Sequence, residues 1–159
     1  MPYMSLIKLL YIADRRALAR FGRPITFDRF VSMDLGPVLS KTLNLVKEEP
    51  DPFVISYWAD HISPPSNYKV SLVGNEVPND QLSPAEEELL DEVFEEFKHM
   101  DQWALSEYTH KFAEYQHPHG SAIPISIRQM LLAQNVSEED AEAIVSDLSA
   151  AAYMEQMAG

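Results

Sequence analysis

Ser106 and His110 stand four residues apart, a spacing that puts them on the same side of a helix. With Asp101 or Glu107 nearby, the pair suggests a nucleophile and its base. Catalytic serines, however, usually sit on strained turns beside backbone donors, and no Gly-rich elbow surrounds Ser106. The plainer expectation is a structural His110, hydrogen-bonded inside a helical layer. His110, His117 and His119, with Glu114 as a fourth donor, could gather at a zinc ion. Pro118 separates the last two and the spacing fits no closed motif, so a loop of surface histidines is the plainer reading. A small hydrolase or metal-dependent enzyme built on these residues is therefore the enzymatic alternative. The sequence contains no cysteine, which removes thiolate chemistry. Neither a Gly-x-Gly-x-x-Gly run nor a Walker-type loop is present, so nothing marks a phosphate cradle.

Charge and aromatic residues point instead towards binding. The formal net charge is −13 over 159 residues. Residues 1–50 carry eight Lys/Arg against five Asp/Glu, and residues 51–159 carry four against twenty. Such a field repels nucleic acid and favours a basic partner. Lys8, Arg15, Arg16, Arg20, Arg23 and Arg29 form a basic cluster, either an anion-binding patch or, more plainly, cations paired with the acidic remainder. Tyr57, Trp58, Tyr68, Trp103, Tyr108 and Tyr115 could anchor a protein interface, although core packing accounts for most aromatic residues in a domain of this size.

These side chains need elements to hold them. Leu6, Ile7, Leu9, Leu10, Ile12 and Ala13 predict a buried central helix over residues 4–19, ended by Gly22 at its C-cap and Pro24. A short strand is expected over residues 30–35. Gly36-Pro37 then turns the chain into a helix carrying Leu39, Leu43 and Val46. Alternation over residues 53–58 and 68–73 predicts a β-hairpin with a long connector containing Pro64-Pro65, and the polar stretch 74–82 closes this half. Ser83-Pro84-Ala85-Glu86 is a capping box with proline at N1, opening a helix with Leu89, Leu90, Val93, Phe94 and Phe97 inward. A helix over residues 102–115, a short one after Ser126 and a last one from Ser137 complete the chain. The expected class is mainly helical α+β, with a small β-hairpin and one extra short strand, in a single domain over residues 1–159. The order helix, strand, helix, hairpin is partly that of a winged helix. It lacks a helix before the wing, however, and the helix after Pro37 offers only Lys41 and Lys47, so DNA binding is not expected.

An apolar fraction of 46% and only 5 glycines fit a globular domain. No apolar run is long enough to span a membrane, and the N-terminus lacks the pattern of a signal peptide, so the cytoplasm is the expected location.

Several stretches, taken in order, resemble one family: Leu6-Ile7-Lys8-Leu9-Leu10-Tyr11-Ile12-Ala13-Asp14-Arg15, then Phe21-Gly22-Arg23-Pro24-Ile25-Thr26, Asp28-Arg29-Phe30-Val31-Ser32-Met33, Gly36-Pro37-Val38, Leu82-Ser83-Pro84-Ala85-Glu86 and Trp103-Ala104-Leu105-Ser106-Glu107-Tyr108-Thr109-His110. This order is similar to the Panacea domain, the SocA-like family also found in phage-associated GepA-like proteins, and covers most of residues 5–148. Family members often carry another helix before the first motif and a proline where this chain has Leu39. Tyr11, Asp14, Trp103, Ser106, Thr109 and His110 fall within the matching stretches and are expected to be structural.

The resemblance implies an antitoxin that neutralises a cognate protein toxin by direct binding, with no enzymatic activity and no required cofactor. The SocA-type member also delivers its toxin to a ClpXP-type protease, so a proteolytic adaptor is the alternative. Neither nucleic acid nor membrane is an expected partner. The toxin is expected at Asp34, Gly36 and Pro37 together with the hairpin face bearing Tyr57 and Trp58. There a rigid turn would incur little ordering cost, Asp34 would meet a basic group, and the aromatic rings would supply contact area.

Overall fold

The computed structural model describes residues 1–47, 52–74 and 81–158, the side chains of 52–56, 156 and 158 excepted. The organising element is α1 (Tyr3–Phe21), whose run of apolar residues leaves little polar face. Tyr11, Ala17 and Leu18 are fully buried, and Gly22 ends the helix in the left-handed conformation at φ 72°. A side chain there would be strained, which is why the chain turns at a glycine.

β1 (Phe30–Met33) pairs antiparallel with β2 (Gly36–Leu39), Phe30 opposite Leu39 and Met33 opposite Gly36, across a two-residue turn at Asp34 and Leu35. The other edge of β1 takes β3 (Ile123–Ile125), giving the order β2-β1-β3. Pro37 and Pro124 both fall on edge strands, where a missing N–H costs no ladder bond. α2 (Ser40–Val46) follows β2 directly. Asp28 caps it from outside, its carboxylate accepting from the backbone N–H groups of Lys41 and Thr42.

α3 (Pro52–His61) precedes a non-helical stretch tied by isolated bridges of Pro2 and Ser66 to Lys69 and of Ile62 to Leu72. α4 (Pro84–Phe97) opens with the expected capping box at Ser83 and Glu86, and α5 (Gln102–His110) is capped by Asp101. α6 (Ile127–Ala133) starts at a second capping box, Ser126 with Gln129, and α7 (Glu138–Ala158) closes the described chain. One core joins Tyr11, Leu18, Phe30, Leu39, Met130 and Leu131. A second joins Ile12, Ala13, Leu89, Val93, Phe97 and Leu105, so α1 is packed on two sides.

The expected class holds, but its pieces fall elsewhere. Residues 53–58 are helical, not a strand. Six residues, five of them apolar, are too few to separate the two periods, and Pro52 in the first helical turn suits a helix start. Residues 68–73 form only isolated bridges, not a strand. Val70 is buried while Tyr68 and Leu72 are exposed, so the three do not share a packed face. The hairpin is instead β1–β2, and Gly36-Pro37 begins a strand, not a helix; Leu39 belongs to that strand. The helix expected over residues 102–115 ends at His110, and the strand expected over 30–35 ends at Met33. Of the polar stretch 74–82, residues 75–80 lie outside the described residues.

Candidate functional site

The turn between β1 and β2 is held by hydrogen bonds from several parts of the chain. Tyr115 Oη donates to the Met33 carbonyl at 2.7 Å, and Ser106 Oγ to the Leu35 carbonyl at 2.6 Å. Lys8 Nζ donates to the Pro37 carbonyl at 2.8 Å, and His110 Nε2 lies 3.1 Å from the Asp34 carbonyl. The Asp34 carboxylate accepts from Gly120 N at 2.9 Å. Three parts of the chain therefore meet one turn: α1 through Lys8, α5 through Ser106 and His110, and the loop after α5 through Tyr115 and Gly120. Gly36, at φ 111°, is the point of closest approach. A Cβ there would stand 2.9 Å from Lys8 Nζ and 3.0 Å from Thr109 Oγ1. Only glycine offers both the space and the backbone angle.

Lys8 is the unexpected member of this arrangement. It is fully buried, and no carboxylate among the described residues pairs with it. Burial lowers its ammonium pKa from 10.5 to about 7. The sequence reading places Lys8 in a basic cluster, as part of an anion-binding patch or paired with the acidic remainder, and the hint of burial is its position inside the run from Leu6 to Ala13. Among the other cations, Arg15, Arg16 and Arg20 pair with Glu114, Glu96 and Glu92, which is the internal pairing described above.

Two carboxylates brace the frame around the turn. Glu114 accepts from Tyr11 Oη at 3.0 Å and from Arg15 Nε at 2.6 Å and Nη2 at 3.2 Å, while the Arg15 guanidinium covers the Phe112 ring. Burial, then the Glu114 charge, raises the Tyr11 hydroxyl pKa. Asp14 accepts from the backbone N–H groups of Ile25 and Thr26 and from the Thr26 hydroxyl. Burial raises its carboxyl pKa, and the Thr26 hydrogen bonds oppose that shift. Burial, followed by Asp34, also raises the Tyr115 hydroxyl.

The chemistry suggested by residue spacing is not assembled. The Ser106 hydroxyl is turned to Leu35, and His110 Nδ1 faces the Ser106 backbone carbonyl at 2.6 Å, not the hydroxyl. Glu114 is committed to Arg15 and Tyr11, away from His117 and His119, whose rings lie 4.6 Å apart. Among the described residues no cluster of three or more His, Asp or Glu could hold a metal ion.

The turn leaves Leu35 47% exposed, beside a cavity of about 290 Å³ walled by Tyr3, Met4, Ile7, Val38 and Leu43. Tyr57 and Trp58 sit on α3. Tyr57 is 61% exposed and rests on His61, and Trp58 lines a separate small cavity with Leu45 and Val46. Leu43 and Lys47 face the first cavity and Leu45 and Val46 the second, so α2 stands between the two groups. Of the motif residues, Tyr11, Asp14, Ser106 and Thr109 are buried and His110 is half-buried. Trp103 is 57% exposed and lines a groove with Phe94, Phe97 and Met100.

The polar residues at the centre of the molecule thus hold one turn in place, as in a mainly helical α+β scaffold that presents a surface. The chain belongs to the antitoxin SocA-like, Panacea domain family, whose model matches residues 6–116. No curated protein and no solved structure matches it. No helix among the described residues is long and apolar enough to cross a membrane.

Proposed function

We propose that this chain, as one domain, is an antitoxin that binds a cognate protein toxin directly and masks it in the cytoplasm. The family match over residues 6–116 carries this reading. The bound turn supports it. With the carbonyls of Met33, Asp34, Leu35 and Pro37 already partnered, Asp34, Gly36 and Pro37 present Leu35 and the adjoining cavity at little ordering cost. Asp34, whose side chain is half exposed, offers a carboxylate to a basic group. Tyr57 and Trp58 form a separate contact area beyond α2. The role is one of binding, with neither nucleic acid nor cofactor in it.

The test is co-expression with the protein encoded beside it. Growth rescue and a stoichiometric complex are expected, and rescue without any complex at low salt would overturn direct masking. Toxin half-life separates masking from delivery to a ClpXP-type protease: it stays unchanged for masking and shortens in a protease-dependent way for an adaptor.

A further inference from the structure

α7 carries six acidic residues and no basic one, and it lies beyond the residues matched by the family model. Ile144, Val145 and Leu148 pack it on the core. From Ser149 onward every described side chain is exposed, including Tyr153, Met154 and Met157. The stretch Ala150-Ala151-Ala152-Tyr153-Met154-Glu155-Gln156-Met157-Ala158 is apolar on nearly all sides, and a helix of that composition is ordinarily covered.

A second, independent feature faces the same place. Phe27 is 60% exposed and stands at φ 53°, a conformation uncommon for a bulky residue. The backbone on either side of it is fixed. Asp14 holds Ile25 and Thr26, and Asp28 holds the start of α2 while its own N–H donates to Thr26 Oγ1. A strained residue persists only where its surroundings over-determine it, and such residues cluster at binding sites. Phe27 and α7 border a groove of about 390 Å³ lined also by Leu148, Ala151, Ala152 and Glu155; the Asp28 carboxylate beside it is taken up by Arg29, Lys41 and Thr42. Glu155 pairs with no cation among the described residues.

We infer that this groove docks a basic amphipathic segment of the partner protein, with an apolar face on Phe27 and α7 and lysine or arginine at Glu155. The inference rests on the antitoxin reading and adds a second contact surface to it. A second copy of the chain does not suit the groove, because each copy would bring the same α7, with six acidic residues and no basic one, and a net charge of −13.

The experiment uses the full chain and two short synthetic amphipathic helices, one Leu/Lys and one Leu/Glu. The Leu/Lys helix should bind with an affinity that falls as salt rises, and the Leu/Glu helix should not. Phe27→Asn relieves the backbone, so its folding should be intact while its affinity falls at least about tenfold. Ala152→Arg, on an exposed turn, should do the same, and Glu155→Lys should weaken the salt dependence. Equal binding of both helices, or unchanged affinity in Phe27→Asn and Ala152→Arg, would overturn the inference. So would a wild-type dimer in sedimentation that Ala152→Arg dissociates, since the occupant would then be a second copy. Growth rescue keeps the two proposals apart. No rescue by the wild type sinks the antitoxin reading, whereas full rescue by both variants sinks only the groove.

Discussion

The β1–β2 turn and the Phe27–α7 groove treat their polar and apolar groups in opposite ways. At the turn, polar side chains from α1, α5 and the loop after it are committed to backbone carbonyls, and glycine fills the only remaining space. At the groove, only the backbone around Phe27 is fixed, and the apolar side chains of Phe27 and distal α7 stand free. A change at the turn should therefore show first in stability. A change at the groove should show in binding and leave stability nearly untouched.

The largest expected effect tests the frame behind the turn. Glu114→Ala leaves the Arg15 guanidinium and the Tyr11 hydroxyl without their shared acceptor. Breaking a buried ion pair from one side costs about 3–5 kcal/mol, to be read by urea denaturation. A loss below about 1 kcal/mol would mean that water replaces the carboxylate and that the frame is looser than its geometry.

Next in size is a pH effect from Lys8. Its pKa is about 7 in the fold and 10.5 unfolded, so between those values the unfolded chain binds more protons and stability rises with pH. The slope from this one group is at most about 1.4 kcal/mol per pH unit. Tyr11, raised in the fold, acts in the opposite direction once the unfolded hydroxyl ionises near 10, so the useful window is from about pH 7 to 9.5. Lys8→Met should remove the rise across that window. A rise of the same slope in Lys8→Met would assign it to another group.

Gly36→Ala and His110→Ala probe the turn itself. The first sets a methyl group against Lys8 and Thr109 at an unfavourable φ and should cost about 1–3 kcal/mol. The second removes the ring from the Asp34 and Ser106 carbonyls and should cost about 1–2 kcal/mol. Thermal or chemical melts decide both. Wild-type stability in either variant would count against the turn as a tightly held element.

The smallest expected stability change is at Phe27. Phe27→Gly removes a left-handed phenylalanine whose side chain is mostly in water, so stability should hold or rise by up to about 1 kcal/mol. A clear loss would place Phe27 with the structural residues and erase the contrast between the two regions.

How far the sequence carried depended on the range of the interactions involved. Ser83, Pro84 and Glu86 announce the start of α4 because a capping box is complete within four residues. Gly22 ends α1 for a similarly local reason. The motif order points to the family, whose model matches residues 6–116. The short stretch at residues 53–58 reads as a strand and folds as a helix because its periodicity is too brief to separate the two. β3 leaves no local signal because its three residues include a proline and pair with a strand more than ninety positions earlier.

The sequence by itself determined what adjacent residues can settle: helix starts and stops, the acidic balance, the mainly helical class and the family. The tertiary structure alone decided that Lys8 is buried beneath the turn, that Glu114 serves Arg15 and Tyr11, and that Phe27 faces α7. Each of these depends on which distant atoms displace water from a side chain. Hydration and pairing set the energy of a charge or an exposed ring, and neither is a property of the residue type.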